Sequence, residues 1–256
     1  MYDEPSSMTM IAILINSRLL DMTQFAFIQS LCPVALPDPD TSVLMVQFDV
    51  QHYSPMLFAK LGIEMPEAIR RAVCKRQAEF LAGRYLAKKV QMSLGVMPIE
   101  IAIGDSRAPV WPSAWTGSIS HNDSLAICAM TPQSNEHQGV GIDIESLIDV
   151  DRLSEMKGVV VTEKELAALP SNVQNLSGLM TLLFSAKESI FKALYPQVKR
   201  YFDFLDVAFL RMDDQWLYFE LNTKLSDTLL PGLQGKVYYS RMDERVLTFT
   251  RSEYFI

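Results

Sequence analysis

The sequence predicts an α+β fold in which a long helix and a set of antiparallel strands occur twice. Apolar residues recur at helical spacing over residues 65–94 and again over about 177–195. Segments of strand character follow each of these helices. A hydrophobic content of 49% and a mean hydropathy of +0.11 indicate a chain that buries a large core. No sequence repeat accompanies the repeated order of elements.

The first half of the chain predicts a strand, a helix and two more strands. Residues 33–42 form a proline-rich turn or linker, because proline fixes φ and lacks an amide donor. The helix over 65–94 has Pro66 near its start, where the missing amide has no intrahelical partner to lose. A loop rich in Pro, Trp and Gly follows at 104–118. The strands expected in this half are 42–50, 99–103 and 125–130.

The second half begins with a short strand at 139–145 and contains the second long helix. A short helix starts at Thr162, and Glu165 three residues later completes a capping-box pattern. The strands expected after the long helix are 206–212, 215–222, 235–240 and 245–251.

Composition and charge exclude several classes of function. A net charge of −7 and a sequence pI of about 5.0 argue against nucleic-acid binding through a basic surface. The three cysteines have neither metal spacing nor the number of a disulfide framework, which predicts a reducing, cytoplasmic location. The apolar segment 8–20 lacks a basic region before it and is too short to span a bilayer. We therefore expect it to form a strand or arm, and we expect no membrane partner.

Two acids share one face of the strand at 139–145. Successive side chains of a strand alternate in direction, so Asp143 and Glu145 point one way while Ile142 and Ile144 enter the core. Spacing alone also fits exposed acids on an ordinary polar strand face.

A third acid and two lysines lie on the helix at 184–194. Glu188 and Lys192 are four residues apart and share a face, with Lys187 about 100° around the helix from Glu188. The alternative is an ordinary helix ion pair, although the neighbouring Ile190 and Phe191 make an idle charge costly. If helix and strand pack together, three carboxylates converge beside two ammonium groups. An all-oxygen set of this kind suits Mg²⁺, which shares its remaining positions with substrate phosphates.

Four motifs resemble those of the 4′-phosphopantetheinyl transferases, in particular the type that includes the surfactin-synthetase activator and enterobactin synthase component D. The signature pair is G-V-G-I-D-I-E at 139–145 and F-S-A-K-E-S-x-x-K-A at 184–193. R-Q-A-E-F-L-A-G-R at 76–84 also agrees with the family, as does R-A-P-V-W-P at 107–112, which leads into G-S-I-S-H. The motifs follow one another in the family's order between roughly residues 70 and 205.

The resemblance implies transfer of 4′-phosphopantetheine from coenzyme A to a serine of an apo acyl or peptidyl carrier protein or domain. It implies Mg²⁺, with Mn²⁺ as a substitute, on Asp143, Glu145 and Glu188. Lys187 and Lys192 would face the phosphates of the substrate and of the departing 3′,5′-ADP. Glu188 would act as the base, either directly or through a metal-bound water.

The resemblance also implies which residues bind coenzyme A. Ser120 and His121 would contact the nucleotide end, and Arg76, Arg84 and Arg107 would clamp the 3′-phosphate, which guanidinium groups match in a bidentate way.

The resemblance also implies a pseudo-twofold fold of two similar halves, with the active site in the cleft between them. We expect an N-terminal arm and linker at 1–44, a first half at 45–135 and a metal-binding, catalytic half at 136–256. The family docks its carrier over 152–180. Glu163 is either a helper acid near the metal or a helix-terminus acid favoured by the macrodipole.

Two other classes of function remain at this point. One is a Mg²⁺-dependent phosphohydrolase acting on coenzyme A or a related pyrophosphate, which would turn over without an apo carrier. The other is a non-catalytic module that binds carriers, although such a module has no need for the acid and lysine set. The carrier itself, whether from siderophore, fatty-acid or polyketide biosynthesis, is not determined by the sequence.

Overall fold

Two antiparallel sheets organise the chain, and a long helix covers one face of each. The computed structural model describes residues 26–169 and 176–256. The strand or arm expected at 8–20 lies outside the described residues. Across the described ranges, no helix has both the length and the apolar character needed to cross a membrane.

The first sheet has four strands in the order β1-β2-β6-β5, and all neighbouring pairs are antiparallel. Its strands are β1 (Ile28–Pro33), β2 (Ser42–Phe48), β5 (Trp115–His121) and β6 (Leu125–Pro132). Strand β6 is buried on both faces. Its residues Ala126, Cys128 and Met130 pack towards the long helix of this half.

The first half contains three helices: α1 (Met56–Leu61), α2 (Glu67–Arg70) and α3 (Cys74–Ser93). The prediction of one continuous helix over 65–94 is therefore wrong, because the chain is extended at Val73. The side chain of Gln77 stabilises this break by donating to the carbonyls of Arg70 (3.1 Å) and Ala72 (2.8 Å).

A small hairpin replaces the strand expected at 99–103. Its strands are β3 (Ala102–Ile103) and β4 (Pro109–Val110). A short 3₁₀ turn over Asp105–Arg107 connects them, and both Ser106 (φ 52°) and Arg107 (φ 64°) are left-handed there. This conformation is unfavourable for residues that carry a Cβ.

The second sheet has five antiparallel strands in the order β7-β11-β10-β9-β8. They are β7 (Val140–Ser146), β8 (Val207–Met212), β9 (Trp216–Leu221), β10 (Gln234–Met242) and β11 (Arg245–Arg251). The helices of this half are α4 (Leu153–Met156), α5 (Glu163–Ala167) and α6 (Leu176–Val198). The strands and the long helix agree with the sequence prediction, and the capping box between Thr162 and Glu165 is confirmed.

Helix α6 lies against the backbone of β7. A Cβ built on Gly141 would stand 1.8 Å from the carbonyl oxygen of Ser189, and one on Gly139 would stand 2.1 Å from that of Ala193. Only glycine permits this approach, since the obstructing atoms belong to the helix backbone. Gly139 directly precedes β7 and alternates with Val140 and Gly141. The two glycines therefore lie on the same side of the strand as Asp143 and Glu145.

The faces of the two sheets that point away from the long helices pack together in an apolar cluster. It joins Val43 and Ile127 of the first sheet to Ile142, Ile144 and Phe249 of the second. The amide of Ile142 also donates to Ser118 Oγ at 3.1 Å. Ile142 and Ile144 are fully buried, as the alternation of β7 predicts. The described chain is thus layered as helix, sheet, sheet and helix.

Candidate active site

Asp143 is buried between the two halves and accepts hydrogen bonds from three side chains. Its Oδ1 accepts from Ser120 Oγ of β5 and from Lys192 Nζ of α6, each at 2.6 Å. Its Oδ2 accepts from Ser185 Oγ at 2.7 Å. The predicted approach of helix and strand therefore brings Asp143 and Lys192 together, as an ion pair.

Glu145 and Glu188 lie beside this ion pair. Burial raises the pKa of Glu145, and the negative charges of Asp143 and Glu188 raise it further, while Lys192 opposes the shift. Burial also raises the pKa of Glu188, and Asp143 adds to the effect while Lys192 opposes it. The three carboxylates are thus close enough to repel one another.

The donor chemistry of the three acids fits Mg²⁺, because a divalent cation would offset this repulsion and hard oxygen ligands suit it. In the described ranges, no group of three or more His, Cys, Asp and Glu side chains is already arranged around a metal position. Lys192, Ser120 and Ser185 occupy the oxygens of Asp143 instead. The metal role of these residues stays a prediction.

Lys187 is directed into the protein, away from the carboxylate cluster. Its side chain is 1% exposed, and its ammonium group pairs with Glu165 Oε1 at 2.7 Å and donates to the carbonyl of Val160 at 2.8 Å. Burial lowers the pKa of Lys187, and Glu165 opposes the shift. The buried acid of helix α5 is therefore Glu165, for which only a capping role is predicted above, whereas Glu163 is exposed. The capping-box spacing was the signal that could have identified it.

The cations assigned to the nucleotide line one cavity of about 300 Å³. They are Arg76, Arg84 and Arg107, and the neighbouring His121 lines the same cavity. Arg76 Nη1 donates to His121 Nε2 at 2.7 Å. Burial lowers the pKa of His121 to about 4, and Arg76 and Lys192 add to the shift. His121 is therefore neutral near pH 7, which matches its role as a hydrogen-bond acceptor.

Arg84 leaves a polar atom of this cavity without a partner. Its guanidinium lies 4.6 Å from the centroid of Phe80, and burial lowers its pKa to about 10. In the part of the chain that the structure describes, no group accepts a hydrogen bond from the buried Arg84 Nε. A buried donor without an acceptor is costly, and an anion that accepts a hydrogen bond from Arg84 Nε would remove this cost.

Ser120 and His121 lie on opposite faces of β5. Ser120 points to Asp143, whereas His121 lines the arginine cavity. Neighbouring residues of a strand must separate in this way. The structure therefore brings His121, but not Ser120, together with the three arginines.

A second cavity of about 440 Å³ lies beside Glu188. Lys187 and Arg107 also line it, and Arg107 belongs to both cavities. Much of its wall is aromatic, from Phe191, Tyr201, Phe202 and Phe204. No role for these rings is predicted above, although the sequence shows five aromatic residues within 191–204.

Comparisons with known proteins agree with the motifs. Residues 64–131 match the 4′-phosphopantetheinyl transferase N-terminal domain, and residues 139–248 match the 4′-phosphopantetheinyl transferase superfamily. Enterobactin synthase component D of Escherichia coli (strain K12) is 35% identical over 181 residues, which is 71% of this chain and 83% of the relative.

Two further relatives match over shorter stretches. Enterobactin synthase component D of Salmonella typhi is 36% identical over 132 residues, 52% of this chain and 54% of the relative, so this alignment spans about half of the relative's length. The 4′-phosphopantetheinyl transferase PptT of Mycobacterium tuberculosis is 33% identical over 138 residues, 54% of this chain and 60% of the relative. With both family models in order along one chain, this protein belongs to the 4′-phosphopantetheinyl transferase superfamily.

Proposed function

We propose that this protein transfers the 4′-phosphopantetheine group of coenzyme A to a serine hydroxyl of an apo carrier protein. The observation that carries the proposal is the position of Arg107, which lines both cavities. One cavity collects cations suited to a nucleotide phosphate, and the other joins an acid to an aromatic wall. An elongated donor with a phosphorylated nucleotide at one end fits this pair of cavities.

The arginine cavity would hold the 3′-phosphate end of coenzyme A. Arg76, Arg84 and Arg107 supply guanidinium groups that bind phosphate in a bidentate way. The unpaired Arg84 Nε gains an acceptor when the phosphate enters. Neutral His121 adds no charge and holds Arg76 through its Nε2.

The acids and Lys192 would carry the chemistry. Asp143, Glu145 and Glu188 would hold Mg²⁺, which when bound supplies positive charge at the pyrophosphate. The serine oxygen attacks the phosphorus that bears the pantetheine, the bridging P–O bond breaks, and 3′,5′-ADP leaves. Glu188 would take the serine proton as the general base. Lys192 stabilises charge on the phosphoryl oxygens.

Lys187 takes a different part in this scheme. Since its ammonium is buried against Glu165, we propose that it fixes the turn of α6 that carries Glu188. Glu165 also accepts from the amide of Phe209 at 2.8 Å, so the pair joins α5, α6 and β8.

The relatives' names guide the choice of carrier. Several are named enterobactin synthase component D, so carrier domains of siderophore assembly are the first substrates to test. Carriers of fatty-acid and polyketide synthesis complete the panel.

Intact-mass measurement of apo carriers after incubation with coenzyme A and MgCl₂ tests the proposal. We expect one carrier to gain the mass of one 4′-phosphopantetheine group, with loss of the gain in EDTA and in the Glu188→Gln variant. The comparisons give no support to the phosphohydrolase alternative. Release of 3′,5′-ADP without any carrier modification would nevertheless favour it and overturn the transferase.

A further inference from the structure

The loop that carries Arg107 is held from the other half of the molecule by Tyr195. The Tyr195 hydroxyl, near the end of α6, donates to the carbonyl of Asp105 at 3.3 Å. That carbonyl also accepts from the amide of Ala108 at 3.0 Å, which closes the turn between β3 and β4. The amide of Gly104 also donates to the carbonyl of Ala108 at 2.8 Å. Tyr195 therefore contacts the turn at one of the atoms that close it.

This turn needs external support. Ser106 and Arg107 are both left-handed, a conformation that is unfavourable for residues that carry a Cβ. The flanking strands β3 and β4 are only two residues long and offer few ladder bonds. A contact from outside the hairpin thus adds to the few bonds that keep Arg107 where it lines both cavities.

Tyr195 is itself fixed by the aromatic wall of the second cavity. Its ring lies 5.7 Å from that of Phe191, and Phe191 lies 5.0 Å from Phe202. Both phenylalanines line the cavity beside Glu188. The hydroxyl therefore links this wall directly to the turn of Arg107.

We propose that Tyr195 is a positioning residue for the donor site, acting through Arg107. Its hydrogen bond holds the turn so that the Arg107 guanidinium stands between the nucleotide cavity and the acid cavity. This role rests on the proposed function, because it concerns the affinity of the same site for coenzyme A.

Calorimetric titration with coenzyme A tests this role without a carrier protein. Loss of one hydrogen bond of about 0.5–1.5 kcal/mol predicts a Kd about two- to tenfold higher for Tyr195→Phe. Tyr239→Phe is the matched control, because that hydroxyl also donates to an aspartate carbonyl, Asp213, at 2.8 Å, and neither residue lines either cavity. The control should bind coenzyme A as the wild type does.

A double-mutant cycle with Arg107→Ala separates positioning from a general structural effect. If Tyr195 acts through Arg107, adding Tyr195→Phe to Arg107→Ala should weaken binding no further. Full additivity of the two changes would show that Tyr195 acts by another route and would overturn the proposal.

The steady-state kinetics give a second measure. We expect Tyr195→Phe to raise KM for coenzyme A and to leave kcat close to that of the wild type, since the acids are untouched. A wild type that binds no coenzyme A overturns the proposed function together with this role. A wild type that binds it with the same affinity as Tyr195→Phe overturns the role of Tyr195 alone.

Discussion

At the scale of single residues, Asp143 and Glu145 share a strand face but have different surroundings. Asp143 joins three donors from two elements, whereas Glu145 is repelled by the acids beside it. A metal site would use both, yet only Asp143 also holds the halves together.

Asp143→Ala should therefore lower the free energy of unfolding by about 3 kcal/mol, because it leaves a partly buried lysine without its partner. Glu145→Gln should leave that free energy unchanged or slightly higher in metal-free buffer, since it removes a repelled charge. Urea unfolding in EDTA measures both. An Asp143→Ala midpoint equal to that of the wild type would contradict the structural role of this carboxylate.

His121 predicts a pH dependence of stability. Its pKa in the folded protein is about 4, below the ordinary value of about 6.5. The unfolded chain therefore binds the proton more readily, and the wild type loses stability as pH falls from about 6.5 towards 4.

The variant His121→Gln lacks this proton site, so it should lose less stability than the wild type between pH 7 and pH 5. Urea unfolding at the two pH values measures the difference. Equal losses for the two proteins would show that His121 is protonated as easily in the fold as outside it.

At the scale of elements, the approach of α6 to β7 sets the spacing of the site. Gly141→Ala places a methyl group against the carbonyl of Ser189, which no side-chain movement can relieve. We expect a loss of about 3 kcal/mol or more in the free energy of unfolding, with loss of transferase activity.

Gly95→Ala is a suitable control, because a Cβ there meets no atom within 4 Å and adds only the strain of its φ of 71°. That strain costs about 1 kcal/mol. In thermal unfolding, the Tm of Gly141→Ala should therefore be well below that of Gly95→Ala. The reverse order would mean that the helix can move away from β7.

Hydrophobic periodicity predicted the long helix α6 and the strands of the second sheet, and the spacing of Thr162 and Glu165 predicted the capping box. Periodicity missed β5, whose Gly117 and small serines carry little strand signal, and it missed the break before α3. That break depends on bonds from the Gln77 side chain to the preceding turn, which no local pattern encodes.

Only part of the candidate site could be predicted from the sequence. Alternation along β7 gave the shared face of Asp143 and Glu145. The burial of Lys187 against Glu165 could not be predicted, because it depends on how α5 packs against α6.

At the scale of the whole molecule, the chain has a net charge of −7. If the proposed carrier substrate is itself acidic, it must dock on a local patch that is basic or apolar. Lys199 is exposed and lies close in sequence to Tyr201, which is 68% exposed and borders the cavity of Glu188. Lys199→Glu should lower kcat/KM for the carrier and flatten its salt dependence, while the Kd for coenzyme A is unchanged.

Lys60→Glu makes the same change in net charge at an exposed position on α1. It should leave kcat/KM for the carrier near the wild-type value. If both reversals lower it equally, the overall field governs the encounter and docking does not depend on Lys199.

The cluster between the two sheets also bears on the order of folding. It joins Val43 to Phe249, positions near opposite ends of the described chain. Contacts between such distant segments require the closure of long loops and form slowly. Each helix can pack on its own sheet earlier, through contacts within its half. During refolding, the capacity to bind coenzyme A should therefore return later than the helical circular dichroism signal.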